Sequence, residues 1–413
     1  MRITYNKFEH ELNRFLKAYL EDEAFDHLKE RLDLTEYEAD SISEKINEFY
    51  REQLNIDTHN SKDRVRVDRI ITFSEKKLRP EKFCRLLNRL AHICLSEGKL
   101  DLANEIFRKS NKLSNDYLAM AESLLGLADV FSRSAKWSRS LEAIKNAKKL
   151  FKTNNDFRGV AKCENLLGTV YGELGDIQKA KEHLQNSLSL INRDEDLELA
   201  ANSYTNLGIV YHIQEFHVDS INQLNKALAI YLKLGNYKSA SEVNLNIGLV
   251  NLESGNYEAA TLALDEAIEI SKTGGFLSVL CLVYLAKAQV LIKLNDFYYA
   301  SEFAEKAFEI SHNSDDKLTL ADIYRVKGII EKHLGKYSAS ETYLLTSLRI
   351  NKSLNNEINA AETSIELGLL YEKMNDFNSK NSYLERSHEY FKNIDAHAKV
   401  KTIEKMLAFN SAL

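Results

Sequence analysis

The chain has 413 residues, 44% of them hydrophobic, and a formal net charge of −6, which is too long for one ordinary globular core unless it is a repeat array. One proline and 15 glycines leave little loop material, so an all-helical protein with short connections is the natural reading. The mild acidity offers no bulk attraction to nucleic acid or anionic lipid. The four cysteines, with no CxxC pair and no histidine pair nearby, offer no disulfide framework or zinc motif and suit a reducing compartment.

The N-terminal stretch "MRITYNKFEHEL" lacks the apolar core of a secretory signal. The segment 1–79 shows no repeat. Phe8, Leu12, Leu16 and Leu20 form a stripe at i+4, and "TEYE" at 35–38 is a capping box ahead of a helix bearing Ala39, Ile42, Ile46 and Tyr50. A bundle of three or four helices is predicted over 1–79, with a linker near 56–63, "IDTHNSKD". Residues 62–79 carry seven basic and three acidic side chains. A solvated helix face accounts for them better than a phosphate-binding strip, and no helix-turn-helix signature accompanies them. No nucleic-acid partner is expected.

Pro80 suits the first turn of a helix, and from there to about 392 the sequence repeats. Ala128, Gly168, Gly208, Gly248, Ala288, Gly328 and Gly368 recur at one constant interval without a slip. Three residues after them come Phe131, Tyr171, Tyr211, Asn251, Leu291, Glu331 and Tyr371. Seven after them, where a turn is expected, stand Ala135, Gly175, Glu215, Gly255, Asn295, Gly335 and Asn375. Twelve after them the residue is Ser140, Ala180, Ser220, Ala260, Ala300 or Ser340, with Lys380 the exception. A degenerate earlier copy has Ala91, Gly98, Ala103 and Ser110. The small residues let two antiparallel helices approach closely, and Leu207, Tyr211, Leu224 and Leu228 fill the space between them. One copy cannot bury its apolar face alone, whereas stacked copies can.

These columns resemble the tetratricopeptide repeat family: Leu-Gly on a first helix, Tyr three on, Gly at the turn and Ala on the second helix. The match covers some three quarters of the chain, with seven copies in register and a degenerate eighth. The resemblance implies an all-α fold, a right-handed α-solenoid of helix hairpins over 80–392, following the N-terminal helical bundle. The usual repeat of the family is about 34 residues, so the added residues here lengthen both helices. Longer repeats occur in Pins/LGN-type scaffolds, kinesin light chains and Rap-type regulators, and the period does not choose among them. "AHAKVKTIEKMLAFN" at 396–410 puts Val400, Ile403 and Leu407 on one face. This fits a capping helix within 393–413 that covers the end of the array.

In the family's geometry first helices line a concave groove, which here places Asn202, Asn206, Glu242, Asn246, Leu282, Leu285, Gln289 and Arg325 inward. A side-chain amide both donates and accepts, so amides at one-repeat spacing suit the backbone of an extended peptide. The resemblance implies the same use, since first-helix asparagines grip peptides in Pins/LGN-type and Rap-type members. The run 276–286, "FLSVLCLVYLA", is apolar round most of a helix, so Leu282 and Leu285 are expected to add an apolar patch to the groove. That run is far short of the roughly 20 residues needed to span a bilayer. A cytoplasmic protein with no membrane partner is expected.

Trp137, Tyr257, Phe297, Tyr337 and Phe377 recur at one turn position and read as packing residues. No HExxH, GxxxxGK[ST], GxSxG or GxGxxG is present, so no catalytic residue, metal or cofactor is expected. A non-enzymatic scaffold or receptor for a protein or peptide segment is the leading reading. The alternative is a Rap-type regulator whose N-terminal bundle acts on a response regulator under peptide control. Dephosphorylating an aspartyl phosphate there would need an amide to orient water, and Gln53 is the only glutamine in the segment 1–79. A carboxylate clamp for chaperone tails is disfavoured, because Ile329 stands where an asparagine would follow Arg325.

Overall fold

A computed structural model describes residues 12, 15–17, 19–20, 24–26, 28–29, 58–192, 195–312, 316–394 and 396–408. Among the described residues there is no strand. The chain divides into two compact units, 1–199 and 200–413. The first holds α1 (Thr58–Lys77), α2 (Pro80–Ser96), α3 (Leu100–Leu113), α4 (Tyr117–Arg133), α5 (Trp137–Thr153), α6 (Phe157–Glu173) and α7 (Ile177–Leu190). Beginning with α8 (Leu197–Ile213), the second continues through α9 (His217–Lys233), α10 (Tyr237–Glu253), α11 (Tyr257–Gly274), α12 (Leu277–Lys293) and α13 (Phe297–His312). It ends with α14 (Lys317–His333), α15 (Tyr337–Ser353), α16 (Glu357–Lys373), α17 (Phe377–Asn393) and α18 (His397–Ala408). Within each unit the helices pair in chain order as hairpins, giving the all-α solenoid architecture read from the repeat.

The expected turn column has a backbone cause. Ala135, Gly175, Glu215, Gly255, Asn295, Gly335 and Asn375 all adopt positive φ, between 53° and 81°. Such a residue closes a helix by letting the next amide reach back five positions, as Phe216 N–H does to the Tyr211 carbonyl at 2.9 Å and Asp376 N–H to Tyr371 at 2.9 Å. Glycine and asparagine tolerate this conformation, and five of the seven copies use one of them.

The small columns hold the hairpins together by more than close approach. Ser140, Ser220 and Ser340 donate to the carbonyls of Ala128, Gly208 and Gly328 at 2.7 to 2.8 Å, each twelve residues back. A second tie spans 26 residues: Ser187 donates to Ala161, Ser387 to Ala361, and in the opposite direction Ser241 donates to Ala267 and Cys281 to Ala307. Buried hydroxyls and one thiol thus satisfy carbonyls at the helix contact. Lys380 keeps its place in the column by pairing its fully buried ammonium with Glu372.

In the first unit, Leu12, Leu16 and Leu20 are buried with Val67, Ile70 and Phe83. Phe8 and the helix expected after residue 35 lie outside the described residues. The linker expected at 56–63 is helical from Thr58. Asp63 is drawn into the folded body by Lys99, and the strip that follows is tied in at two further points, Arg64 on Glu105 at 2.5 Å and Glu75 on Lys109 at 2.9 Å. At the other end, Ile403 of α18 is fully buried against Leu384 and Phe391 of α17, with Val400 and Leu407 packed beside it.

Candidate functional site

The residues singled out on first helices all fall in the second unit, on α8, α10, α12 and α14. Each of these helices gives its small column to its own second helix and its apolar flank to the adjacent hairpin. Gly208 lies over Leu224, Gly248 over Leu264 and Gly328 over Leu344. What remains solvent-facing is a narrow strip. Asn202, Glu242 and Leu282 are exposed on it, and Asn206, Asn246 and Gln289 are partly buried.

The amides are not equivalent. Asn202 Oδ1 accepts the hydroxyl of Tyr231, from α9, at 2.5 Å. That bond occupies its acceptor and fixes its orientation, leaving the amide N–H pair to donate. Asn246 makes no side-chain hydrogen bond among the described residues, so donor and acceptor are both available. Asn206 is partly buried and is itself engaged.

Two residues are placed differently from expectation. Leu285 is only 7% exposed and belongs to the core around Leu245, Leu264 and Val283. It is floor, while Leu282, 41% exposed, is the one that projects. Most of the apolar circumference of α12 is used in packing, because both adjacent hairpins press on it. Arg325 is not a free guanidinium: Nη1 donates to Glu362 at 2.8 Å and Nη2 to Asp322 at 3.2 Å. Glu362, on α16, also pairs with Lys399 of α18 at 3.3 Å. Asp322 receives the Asn359 amide at 3.3 Å. Burial raises the Asp322 carboxyl above its ordinary value, and the Arg325 charge only partly offsets this. This ion network was missed from sequence. Its signal was present, since Glu242, Asp322 and Glu362 each stand six residues before the small column.

Further polar groups sit inside the array. Lys287 is 6% exposed and its ammonium reaches Asp265 at 2.7 Å, and Asn244, 2% exposed, donates to Glu266 at 3.4 Å. All four cysteines are free and buried. Burial pushes the Cys94 and Cys163 thiols up to about 12 and the Cys281 thiol to about 11, which keeps them protonated and unreactive at neutral pH. Among the described residues no group of His, Cys, Asp and Glu is arranged to hold a metal ion, and no helix is long and apolar enough to cross a membrane.

A tetratricopeptide repeat profile matches residues 159–233 and 199–273, and a second tetratricopeptide repeat profile matches 85–117. No curated protein matches the sequence. Among solved structures, the apo form of RapI is similar at 16% identity and a TM-score of 0.58, over 79% of this chain and 96% of that one. Aspartyl phosphate phosphatase F from Bacillus subtilis is similar at 15% identity and a TM-score of 0.56, over 94% and 95% of the two chains. The quorum sensor NprR from B. thuringiensis is similar in its apo form at 15% identity and a TM-score of 0.58, over 84% and 99%. NprR in complex with its cognate peptide NprX is similar at 13% and 0.54, over 79% and 96%. At such identities the likeness is one of fold.

Proposed function

We propose that this chain, a tetratricopeptide repeat protein whose fold is similar to that of Rap-type arrays, is a non-enzymatic receptor that grips an extended peptide or protein segment along α8, α10, α12 and α14. The observation that carries the reading is an amide strip on the first helices, with Asn206 and Asn246 in register at one-repeat spacing and with Asn202 and Gln289, in other registers, at either end. Asn246 supplies both donor and acceptor, and Asn202 supplies donors. Leu282 is the apolar anchor beside them, with Leu285 as the floor beneath it. Glu242 and the charge-balanced Arg325 network flank the strip. The complex of NprR with its peptide, on a similar fold, supports this kind of use.

Peptides selected from a random display library on the full chain provide the test. Each amide-to-backbone bond contributes about 0.5 to 1.5 kcal/mol, so Asn206→Ala with Asn246→Ala should weaken the selected peptides roughly 5- to 150-fold. The same variant should keep its melting temperature, because the better helix propensity of alanine at both sites offsets the Asn206 contact that is lost. Equal binding by parent and variant would refute the groove.

The second reading, control of a response regulator through the N-terminal segment, is favoured by the extent of the likeness to phosphatase F, which spans 94% of this chain. Gln53, the residue that chemistry would call on, lies outside the described residues.

A further inference from the structure

The first unit holds a cavity that peptide binding on the second does not use. It has a volume of about 720 Å3 and lies against α5 and α6, floored by Leu141, Ile144, Leu167 and Tyr171. Its rim is a row of lysines on α5, at 145, 148, 149 and 152. These positions are i, i+3, i+4 and i+7, one face of a helix. Lys145 with Lys149, and Lys148 with Lys152, are like charges at i, i+4, an arrangement that weakens a helix unless something neutralises it.

Among the described residues only one of the four is neutralised. Glu164, 7% exposed, takes the Lys148 ammonium and the His183 Nδ1–H, the latter at 2.6 Å. The His183 ring in turn stacks on Tyr171, with centroids 5.2 Å apart and planes within 9°. One wall of the cavity is therefore fixed by an ion pair and a ring stack. No carboxylate among the described residues pairs with Lys145, Lys149 or Lys152. Three unmatched ammoniums spread along roughly 10 Å of helix stand over an apolar floor, in a chain whose net charge is −6.

We infer that this cavity binds a small amphiphilic anion, an aliphatic or aromatic body carrying a carboxylate, sulfonate or phosphate head. The body rests on Leu141, Ile144, Leu167 and Tyr171, and the head reaches the three unpaired lysines. The volume falls within the roughly 300 to 1,000 Å3 of small-ligand sites. An acidic peptide would spread its charges along an extended trough, whereas this floor is confined to two helices.

The probe is anilinonaphthalene sulfonate, whose emission rises in an apolar site, titrated into the intact chain and displaced by dodecanoate. Lys145→Glu with Lys149→Glu and Lys152→Glu should weaken the dye by about ten-fold or more, as expected when charge-assisted contacts become repulsive. Rising salt should weaken it in the parent. Asn206→Ala with Asn246→Ala should leave dye binding unchanged, which separates this site from the groove. Should the triple reversal fail to fold by circular dichroism, Lys149→Gln with Lys152→Gln is read instead. Dye affinity unmoved by the lysine changes, displacement by dodecanol as good as by dodecanoate, or displacement by polyglutamate but not dodecanoate would each overturn the inference.

Discussion

A single methyl group added at Gly208 should change sign with its neighbour. A Cβ built at 208 meets Leu224 Cγ at 2.6 Å and Cδ2 at 2.8 Å, with the Ser220 carbonyl oxygen at 3.3 Å. Leu224 is completely buried, and the clash falls on the branch point of its side chain, so it cannot simply swing its tip away. Gly208→Ala gains about 1 kcal/mol of helix propensity but overpacks the contact at a cost of about 1 to 3 kcal/mol. The net effect in the parent is a loss of up to about 2 kcal/mol. Leu224→Ala alone should cost about 2 to 5 kcal/mol through the cavity it leaves. In that background the clash is gone, and Gly208→Ala should stabilise by about 1 kcal/mol. The chain already contains this solution, since Ala288 and Ala304 occupy the corresponding positions, both fully buried. The copies with glycine at 168, 208, 248, 328 and 368 all carry leucine sixteen residues on. Because a repeat array need not melt in one step, the assay is native-state hydrogen exchange of the α8 and α9 amides, which reads local opening. If Gly208→Ala has the same sign in both backgrounds, the packing argument is wrong.

Glu215 holds a left-handed turn at φ 62° where five of the other six copies have glycine or asparagine, so Glu215→Gly should stabilise by about 1 kcal/mol, and a lower unfolding midpoint would count against the turn assignment. Glu164 is raised by burial but held below the ordinary carboxylate value by the hydrogen bonds from Lys148 and His183, which together outweigh burial. A depressed carboxyl contributes stability above its unfolded pKa of about 4.3 and loses it as pH falls through the lower folded value. Glu164→Gln should therefore destabilise the chain at neutral pH and flatten the acid limb of its stability profile, and an unchanged limb would remove Glu164 from the account.

The register was legible because it is written in residue volume and backbone conformation, both of which a sequence states directly. The glycines and asparagines at seven after the small column needed positive φ, and they have it. The serines of the next column were read as small, but their hydroxyls also donate to helix carbonyls, a role that volume alone does not reveal. The groove was harder for a physical reason. Whether a first-helix side chain is floor or projection depends on the neighbouring hairpin, so Leu282 and Leu285, three residues apart, divide into one exposed and one buried. The apolar pair Leu245 and Leu285, both three before the small column and both buried, was the readable sign. The pairing of Arg325 was hard to read because its partner Glu362 stands 37 residues away in the next copy.

That division also bears on the asparagines. In the second unit the architecture makes demands on the small column, the turn and the apolar flanks of every first helix, whereas the position two before the small column varies, buried as Ala286 and Val326 and partly exposed as Asn206 and Asn246. Asn202 answers a local demand, since it accepts the hydroxyl of the buried Tyr231. Asn246 answers none: it makes no side-chain hydrogen bond among the described residues, and asparagine in a helix costs about 0.5 to 0.7 kcal/mol relative to alanine. In the proposed groove an extended ligand's backbone is a partner whose chemistry this amide matches.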